Sequence, residues 1–277
     1  MSLLAGKTVM VSGVGAGLGR QVAAAVVREG GNAVLGARTG SALAEAAAGI
    51  DPEGARTAYR AADIIDEGRC EALAALAPER FGGIDAVVHE AALDSHFGGP
   101  ADADFAAWQA ALDVNLLGTL RMTRARPPAL RAGGGGSVVF LGTQSAIAAP
   151  TEVRQAAYAA SKGALTSAMY SPARELGPDR IRVNTVLPGW MWGPPVQAYV
   201  RFTARAEGVP EEVRARPAWR TALPDLATDG DVAEAVVFLA SDRARAITGQ
   251  SLLVNAGEVM RQSGGTGATG AAVHGYE

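Results

Sequence analysis

The sequence predicts an α/β fold: one domain on a parallel sheet of about seven strands, with helices on both faces. Three observations predict it. Short apolar, β-branched runs alternate with helical stretches of roughly 10–25 residues along most of the chain. A glycine-rich turn, Gly13-Val-Gly-Ala-Gly17-Leu-Gly19, joins the first strand directly to the first helix. Hydrophobic residues make up 48% of the 277 positions and aromatics only 5%, so a large core must be built mainly from Ala, Val and Leu.

Residues 7–12 read as the first strand. A helix follows from about 18 to 29, with Val22, Val26 and Val27 on its inner side, and Gly30-Gly31 stops it. Residues 32–36 form the second strand, which completes a strand–glycine turn–helix–strand unit. That context suits a dinucleotide: glycines leave room for a pyrophosphate, and a helix N-terminus offers free N–H groups to an anion. Gly13, Gly17, Leu18 and Gly19 are the residues of this turn. An acidic residue about 20 positions beyond the turn would bind the ribose of NAD. Ala37 stands near that place and Arg38 follows it. An arginine there suits a 2′-phosphate, which favours NADP(H) and keeps NAD(H) as the alternative.

Residues 41–49 read as a helix with Ser41 as N-cap, 56–62 as the third strand and 66–80 as a helix interrupted near Pro78. The fourth strand is placed at 83–88, followed by His89-Glu90-Ala91-Ala92 and a loop carrying Asp94, His96 and Phe97. One long helical stretch is expected over 103–132, then the fifth strand at 137–141. A helix carrying Tyr158 is expected to reach about 176, and the sixth strand covers 181–187 and ends at Pro188-Gly189. Residues 190–224 break the rhythm and hold Trp190, Trp192 and Trp219. A long insertion at the carboxyl edge of such a sheet reads as a substrate lid; the bland alternative is a helical excursion packing on a neighbouring subunit. A helix at 229–240 and a strand at 250–255 close a domain spanning 1–257, and 258–277 is a Gly-rich tail expected to be flexible.

Charge and cysteine content narrow the function. The net charge is −3, no basic stripe is present, and nucleic acid is not an expected partner. No apolar run reaches about 18 residues, so no membrane span is expected, and no secretory signal is read at the start. The single cysteine, Cys70, allows no intrachain disulfide and suits a reducing, cytoplasmic setting. No residue is assigned to a metal. Tyr158 and Lys162 are the candidates for proton chemistry. Lys162 is one of two lysines in the chain, and residues four apart share one face of a helix. A cation held there favours the phenolate, which would lower a phenol pKa that starts near ~10.

Together these pieces resemble the short-chain dehydrogenase/reductase family. The resemblance covers about residues 4–257 and rests on Ser-Gly-Val-Gly-Ala-Gly-Leu-Gly at 12–19, Asp63, Val-Asn115-Leu-Leu-Gly and Tyr-Ala-Ala-Ser-Lys at 158–162. Arg-Val-Asn-Thr-Val-Leu-Pro-Gly at 182–189 and Thr-Gly-Gln-Ser-Leu-Leu-Val-Asn-Ala-Gly at 248–257 complete it. The resemblance implies a Rossmann-like, doubly wound domain that interconverts a secondary alcohol and a ketone with NADP(H) or NAD(H). Tyr158 would be the general acid or base. Lys162 would lower its pKa and bind the nicotinamide ribose, and Asn115 would hold a relay water. A serine would polarise the carbonyl. The family spacing of thirteen residues before the tyrosine selects Ser145, whereas counting from the strand end selects Thr143; Ser145 is favoured. Asp63 would bind the adenine edge beside Ile64, and Ala91, Pro188 and Gly189 would also touch the cofactor. The substrate pocket would comprise Gln144, Ser145, Ile147, Trp190, Met191 and Trp192, an apolar and aromatic lining suited to a bulky cyclic or aryl ketone. The family's usual assembly implies a homotetramer or homodimer through the helices carrying Asn115 and Tyr158. A non-catalytic dinucleotide sensor is the lesser alternative.

Three departures stand out. The family often has Asn-Asn-Ala-Gly where this chain has His89-Glu90-Ala91-Ala92, which would put His89 and Glu90 close to the cofactor, as extra proton carriers or as tolerated substitutions. Trp190-Met-Trp-Gly replaces the threonine that often follows Pro-Gly. Pro172 falls on the helix of Tyr158 and should kink it, and Pro127 and Pro217 also fall in helix-like contexts.

Overall fold

A strand buried on both faces needs cover at every position, and Thr8–Ser12 (β1) is buried throughout. In the computed structural model, which describes residues 2–149, 153–211 and 221–260, β1 lies inside a seven-stranded sheet. The others are β2 (Asn32–Ala37), β3 (Thr57–Ala61), β4 (Ala86–His89), β5 (Gly136–Leu141), β6 (Ile181–Pro188) and β7 (Ser251–Val254). Their order is β3-β2-β1-β4-β5-β6-β7, and all six pairings are parallel. The chain reverses direction across the sheet between β1 and β4. In such folds ligands bind at that switch point, outside the carboxyl ends of the strands.

Strand alternation divides the core in two. Val9 and Val11 of β1, with Ala86 and Val88 of β4, face α1 (Leu18–Arg28), α2 (Gly40–Ile50) and a helix at Asp229–Ala240. Met10 and Val87 face the opposite layer, which holds α3 (Glu67–Phe81), the segments between 119 and 132, and the Tyr158 helix. Gly36 marks the close fit of α3 on the sheet: a Cβ there would stand 2.3 Å from Leu73 Cδ2.

Several boundaries differ from the sequence reading. Thr39, not Ser41, precedes α2, and Ser41 lies inside it. Pro78 does not interrupt α3, because it falls in the last turn and its carbonyl still accepts from Gly82 N (3.1 Å). β4 begins at Ala86 rather than 83 and includes His89. The stretch over 103–132 is not one helix. It comprises α4 (Phe105–Leu112), a π-helical turn (Asp113–Gly118), α5 (Thr119–Arg124) and, after a break, α6 (Pro127–Ala132). Pro127 is the reason for the break: proline disfavours helical geometry in the residue before it but fits the first turn of a new helix. Within 190–224 the described residues form α9 (Pro194–Glu207), and 229–240 is α10; Trp219 and Pro217 lie outside the described residues. The Gly-rich part of the tail, from 261 on, also lies outside them.

The Tyr158 helix is divided close to Pro172. The helix divides into α7 (Ala156–Ala168) and α8 (Tyr170–Glu175) at Met169, one turn before Pro172. Pro172 has no N–H to give Ala168, its partner four residues back. Met169 nevertheless keeps helical angles (φ −59°, ψ −33°), and the bonds Met169 N→Leu165 O and Ala173 N→Met169 O, both 3.1 Å, span the gap. Tyr158 and Lys162 lie in α7, before the break. Pro172→Ala restores the missing donor while making the unfolded chain more flexible. We expect it to stabilise the fold by about 1–2 kcal/mol. Denaturant unfolding measures this, and an unchanged or lower midpoint would show that the break is required by packing.

Candidate active site

Four strand ends set the site. Ser12 of β1 pairs with His89 of β4, His89 with Phe140 of β5, and Leu141 of β5 with Val186 of β6. The segments that leave these ends are the glycine turn, the loop from Glu90, the turn 142–147 and the segment from Gly189. Gly13 has φ +109°, and a Cβ there would stand 2.1 Å from Ala91 N, so only glycine fits against the β4 exit. Gly15 faces open space among the described residues. α1 then begins after Gly17 with no side-chain cap and no acidic residue in its first turn. Its N–H groups are left for an anion, and the open turn fits a pyrophosphate. Arg38 is exposed just past β2 and makes no ion pair with another described residue, which fits a 2′-phosphate.

Asp63 turns back on its own backbone, accepting from Ile65 N at 3.2 Å. Ile64 is buried: a Cβ on Gly118 would meet its Cγ1 at 2.7 Å. This contact packs the exit of β3 on the π-helical turn, which in turn carries Asn115. Insertion of a π turn into a helix commonly marks a functional position.

Asn115 is fully buried and its amide is engaged. Oδ1 accepts from Leu93 N (2.7 Å), and Nδ2 donates to Leu93 O (3.0 Å) and to Ser161 Oγ (2.9 Å). Both amide hydrogens are therefore used by protein partners, so the side chain has no spare N–H to give a water. Ser161 Oγ donates to Tyr158 O at 2.8 Å, which links Asn115 to the catalytic candidate through α7.

The Thr143 side chain neighbours the Tyr158 hydroxyl and acts to lower its pKa. Thr143 begins the turn after β5, and its Oγ1 also accepts from Ser145 N (3.2 Å). The contact made by the tyrosine thus falls to Thr143, the residue selected by counting from the strand end, while Ser145 lies within the short 3-10 turn 144–146. Lys162 is buried on the next turn of α7, and its Nζ donates to Leu141 O (2.7 Å). Burial lowers its pKa to about 8, opposed by the carboxylates of Glu90 and Asp94.

The expected low phenol pKa is not found. Burial pushes the Tyr158 phenol up, Asp94 and Glu90 push the same way, and only the Thr143 hydrogen bond acts against them. The lysine charge is committed to a backbone carbonyl and to carboxylates. The phenol therefore keeps its proton at neutral pH.

His89 and Glu90 part company because successive strand residues face opposite sides. His89 points into the helical layer, with Nε2 3.1 Å from Thr123 Oγ1 and its ring 5.5 Å from that of Phe140. Burial, with Arg126 and Lys162, lowers its pKa to about 3, so it is a neutral structural group and not a proton carrier. Glu90 points to the glycine turn, where a Cβ on Gly19 would be 2.9 Å from its Oε2.

The pocket residues expected around the carbonyl are only partly gathered. Gln144 is buried and tied to the C-terminal segment, donating to Glu258 Oε2 (2.6 Å) and accepting from Asn255 Nδ2 (2.9 Å). Met191 packs against the core on the α1 side. Trp190 meets Tyr199 of α9 edge-on at 5.3 Å, and the Trp192 side chain is exposed while its backbone N–H donates to Ala227 O. Ser145 and Ile147 are half-buried on the turn after β5. Gly189 follows Pro188 and sits against Asn255 and Gln144, where a Cβ would be 2.6 Å from Asn255 Cβ. Sequence reasoning gave no role to Asn255, although it lies in the 248–257 motif, nor to Glu258 and Asp229, which carry no motif.

Comparison with known proteins bears on the family of the chain. Residues 13–258 match the family described as enoyl-(acyl carrier protein) reductase. A 3-alpha-(or 20-beta)-hydroxysteroid dehydrogenase of Mycobacterium bovis is 31% identical over 92% of this chain and 90% of its own. Among solved structures, L-sorbose reductase from Gluconobacter frateurii, complexed with NADPH and L-sorbose, aligns with TM-score 0.87 and 25% identity, covering 95% of this chain and 100% of that one. Carveol dehydrogenase from Mycobacterium avium, in complex with NAD, aligns with TM-score 0.84 and 28% identity, covering 93% and 99%. The chain belongs to the short-chain dehydrogenase/reductase family, whose members are NAD(P)-dependent oxidoreductases acting on CH–OH donors.

Proposed function

We propose that this protein reduces a bulky, apolar cyclic or aryl ketone to a secondary alcohol, and runs the reverse oxidation, with NADP(H) ahead of NAD(H). The observation that carries this reading is the Tyr158–Thr143 pair, held beside buried Lys162 at the carboxyl end of β5. The nicotinamide supplies or accepts the hydride when bound. The protein's own task is to orient the carbonyl and move one proton. Tyr158 holds that proton at neutral pH and can donate it to the carbonyl oxygen as charge develops there. Thr143 offers a second hydroxyl to the same oxygen, the role read first for Ser145. Lys162 supplies a positive charge on the next helical turn, positioned by Leu141 O.

The pocket would lie between the turn 143–147, the loop 93–97 and the indoles of Trp190 and Trp192, with α9 beside it as part of a lid. An aromatic, apolar boundary supports a cyclic substrate, as do the names of the hydroxysteroid and carveol dehydrogenases among the similar proteins. The NADPH of the sorbose reductase and the free guanidinium of Arg38 support NADP(H). Phe105, Leu117 and Tyr170 are exposed on and beside the helices that carry Asn115 and Tyr158, which supports a homotetramer or homodimer built on that face. The free, buried thiol of Cys70 suits a cytoplasmic setting.

Three tests follow from these roles. Tyr158→Phe should lower ketone reduction by about 10²–10⁴-fold with cofactor affinity retained; near wild-type turnover would remove Tyr158 from the reaction. Thr143→Ala should cost about 10²-fold in kcat and Ser145→Ala less than about tenfold, and the reverse order would restore the serine as the polarising group. Arg38→Ala should weaken NADPH binding about tenfold or more while leaving NADH unchanged. The raised phenol fixes the sign of the pH profiles. Its acid form persists at neutral pH, so reduction should hold there and fall only in alkali, while alcohol oxidation should rise with pH. An oxidation rate that is flat from neutral to alkaline pH would contradict it.

A further inference from the structure

The glycine turn is flanked by two carboxyl groups that the reaction does not use. Glu90 leaves the end of β4, its N–H donating to Ser12 O at 2.8 Å, and its Oε2 reaches the first turn of α1 at Gly19. Asp229, the first residue of α10, approaches from the other side. Its Oδ2 is 3.4 Å from the position a Cβ would take on Gly17, and both oxygens are 2.8 Å from the corresponding position on Gly193. α1 has no acidic residue of its own in this turn. The two carboxyls therefore share the positive field at the start of α1 that a pyrophosphate would use.

The charged groups facing Glu90 come from every neighbouring element. Lys162 and the Tyr158 phenol face it from α7, Asp229 from α10 and Asp94 from its own loop. α1 adds only backbone, because Arg20 is directed to Glu45 and Gly49. One cation thus answers three carboxyls. Bringing two phosphates to this turn adds negative charge where Glu90 cannot be hydrated freely. Neutralising one carboxyl removes that repulsion without moving the backbone that holds it.

We propose that Glu90 accepts the dinucleotide as the neutral acid, so that cofactor binding takes up a proton and Glu90 sets the alkaline limit of cofactor affinity, a role that rests on the dinucleotide site proposed above. Burial holds the Glu90 carboxyl up at about 8, with Asp229 and Asp94 adding to the effect and Lys162 opposing it. The sign follows. Below that pH the proton is already in place and affinity is flat. Above it, binding must recover the proton, and affinity falls by about tenfold per pH unit until the complex itself titrates.

Titration calorimetry of the full-length protein tests this with NADH and NADPH, from about pH 6.5 to about 9.5, in buffers of different ionisation enthalpy. At about pH 9 the wild-type protein should take up close to one proton per dinucleotide, and Kd should rise about tenfold from about pH 8. Glu90→Gln should abolish the uptake, flatten the profile and bind about tenfold tighter than wild type at about pH 9. Glu90→Asn serves the same comparison should the longer amide fail to fold. Binding with no proton uptake in the wild type overturns the proposal. So does a slope that survives in the amide variants, which would assign it to Lys162. Absence of binding heat for both dinucleotides at every pH overturns the dinucleotide site, and the role of Glu90 with it.

Discussion

The site depends on how closely the ends of β1 and β4 approach. Ser12 O accepts from both Glu90 N and Ala91 N, each at 2.8 Å, and Gly13 N and Val14 N both donate to Gly36 O. Three strand exits are thereby sewn together by backbone bonds within one turn. The fit tolerates no side chain at Gly13, whose Cβ would overlap Ala91, and none at Gly19, whose Cβ would fall 2.5 Å from Gly13 O. The glycines therefore serve two purposes. Gly13 and Gly19 permit the backbone to pack on itself, and Gly15 leaves an open approach. The glycine turn and the loop from Glu90 both leave the sheet at this knot.

A second constraint is electrostatic. Tyr158, Lys162 and Glu90 lie together in a poorly solvated place, and burial acts on each in the direction of neutrality: phenol and carboxyl up, ammonium down. Their mutual charges only partly offset this. Such a site retains its protons near neutral pH and suits donation to a carbonyl oxygen. The strand period explains why Glu90 participates and His89 does not. One residue earlier on β4, the side chain enters the opposite layer, among Thr123 and Phe140. There, Arg126 is also buried, satisfied by the carbonyls of Met122 and Cys70 rather than by an acid.

Most of the fold was legible because it is written in local patterns. The strand–glycine turn–helix unit, the alternation of strands and helices, and the Tyr158–Lys162 spacing each depend on neighbours a few residues apart. The errors fall where distant contacts decide. Nothing local shows that 103–132 must break, except Pro127-Pro128, or that Asn115 lies in a π turn. The choice between Ser145 and Thr143 turned on which reference to count from. Counting from the strand end points to Thr143, because the hydrogen-bonded end of β5 fixes it in space, and the spacing before the tyrosine points to Ser145. The phenol's raised pKa was unreadable for a similar reason. Spacing places a lysine near the tyrosine, but burial and the direction of Nζ toward Leu141 determine what the lysine does.

The substrate side illustrates the same division. Gln144 reads as a pocket residue because it neighbours the candidate serine and threonine. Its amide is instead held by Asn255 and Glu258, more than a hundred residues later. That C-terminal turn is itself unusual: Ala256 and Gly257 both have positive φ, at 52° and 79°, and Leu223 N donates to Ala256 O at 3.0 Å. The chain at Leu223, the turn after β5 and Gly189 thus meet on one short segment after β7. A substitution at Glu258 or Asn255 acts on the proposed pocket through Gln144 although neither residue need touch a substrate. Residues 255–259 therefore belong with the site, beyond the last strand that the sequence pattern marks.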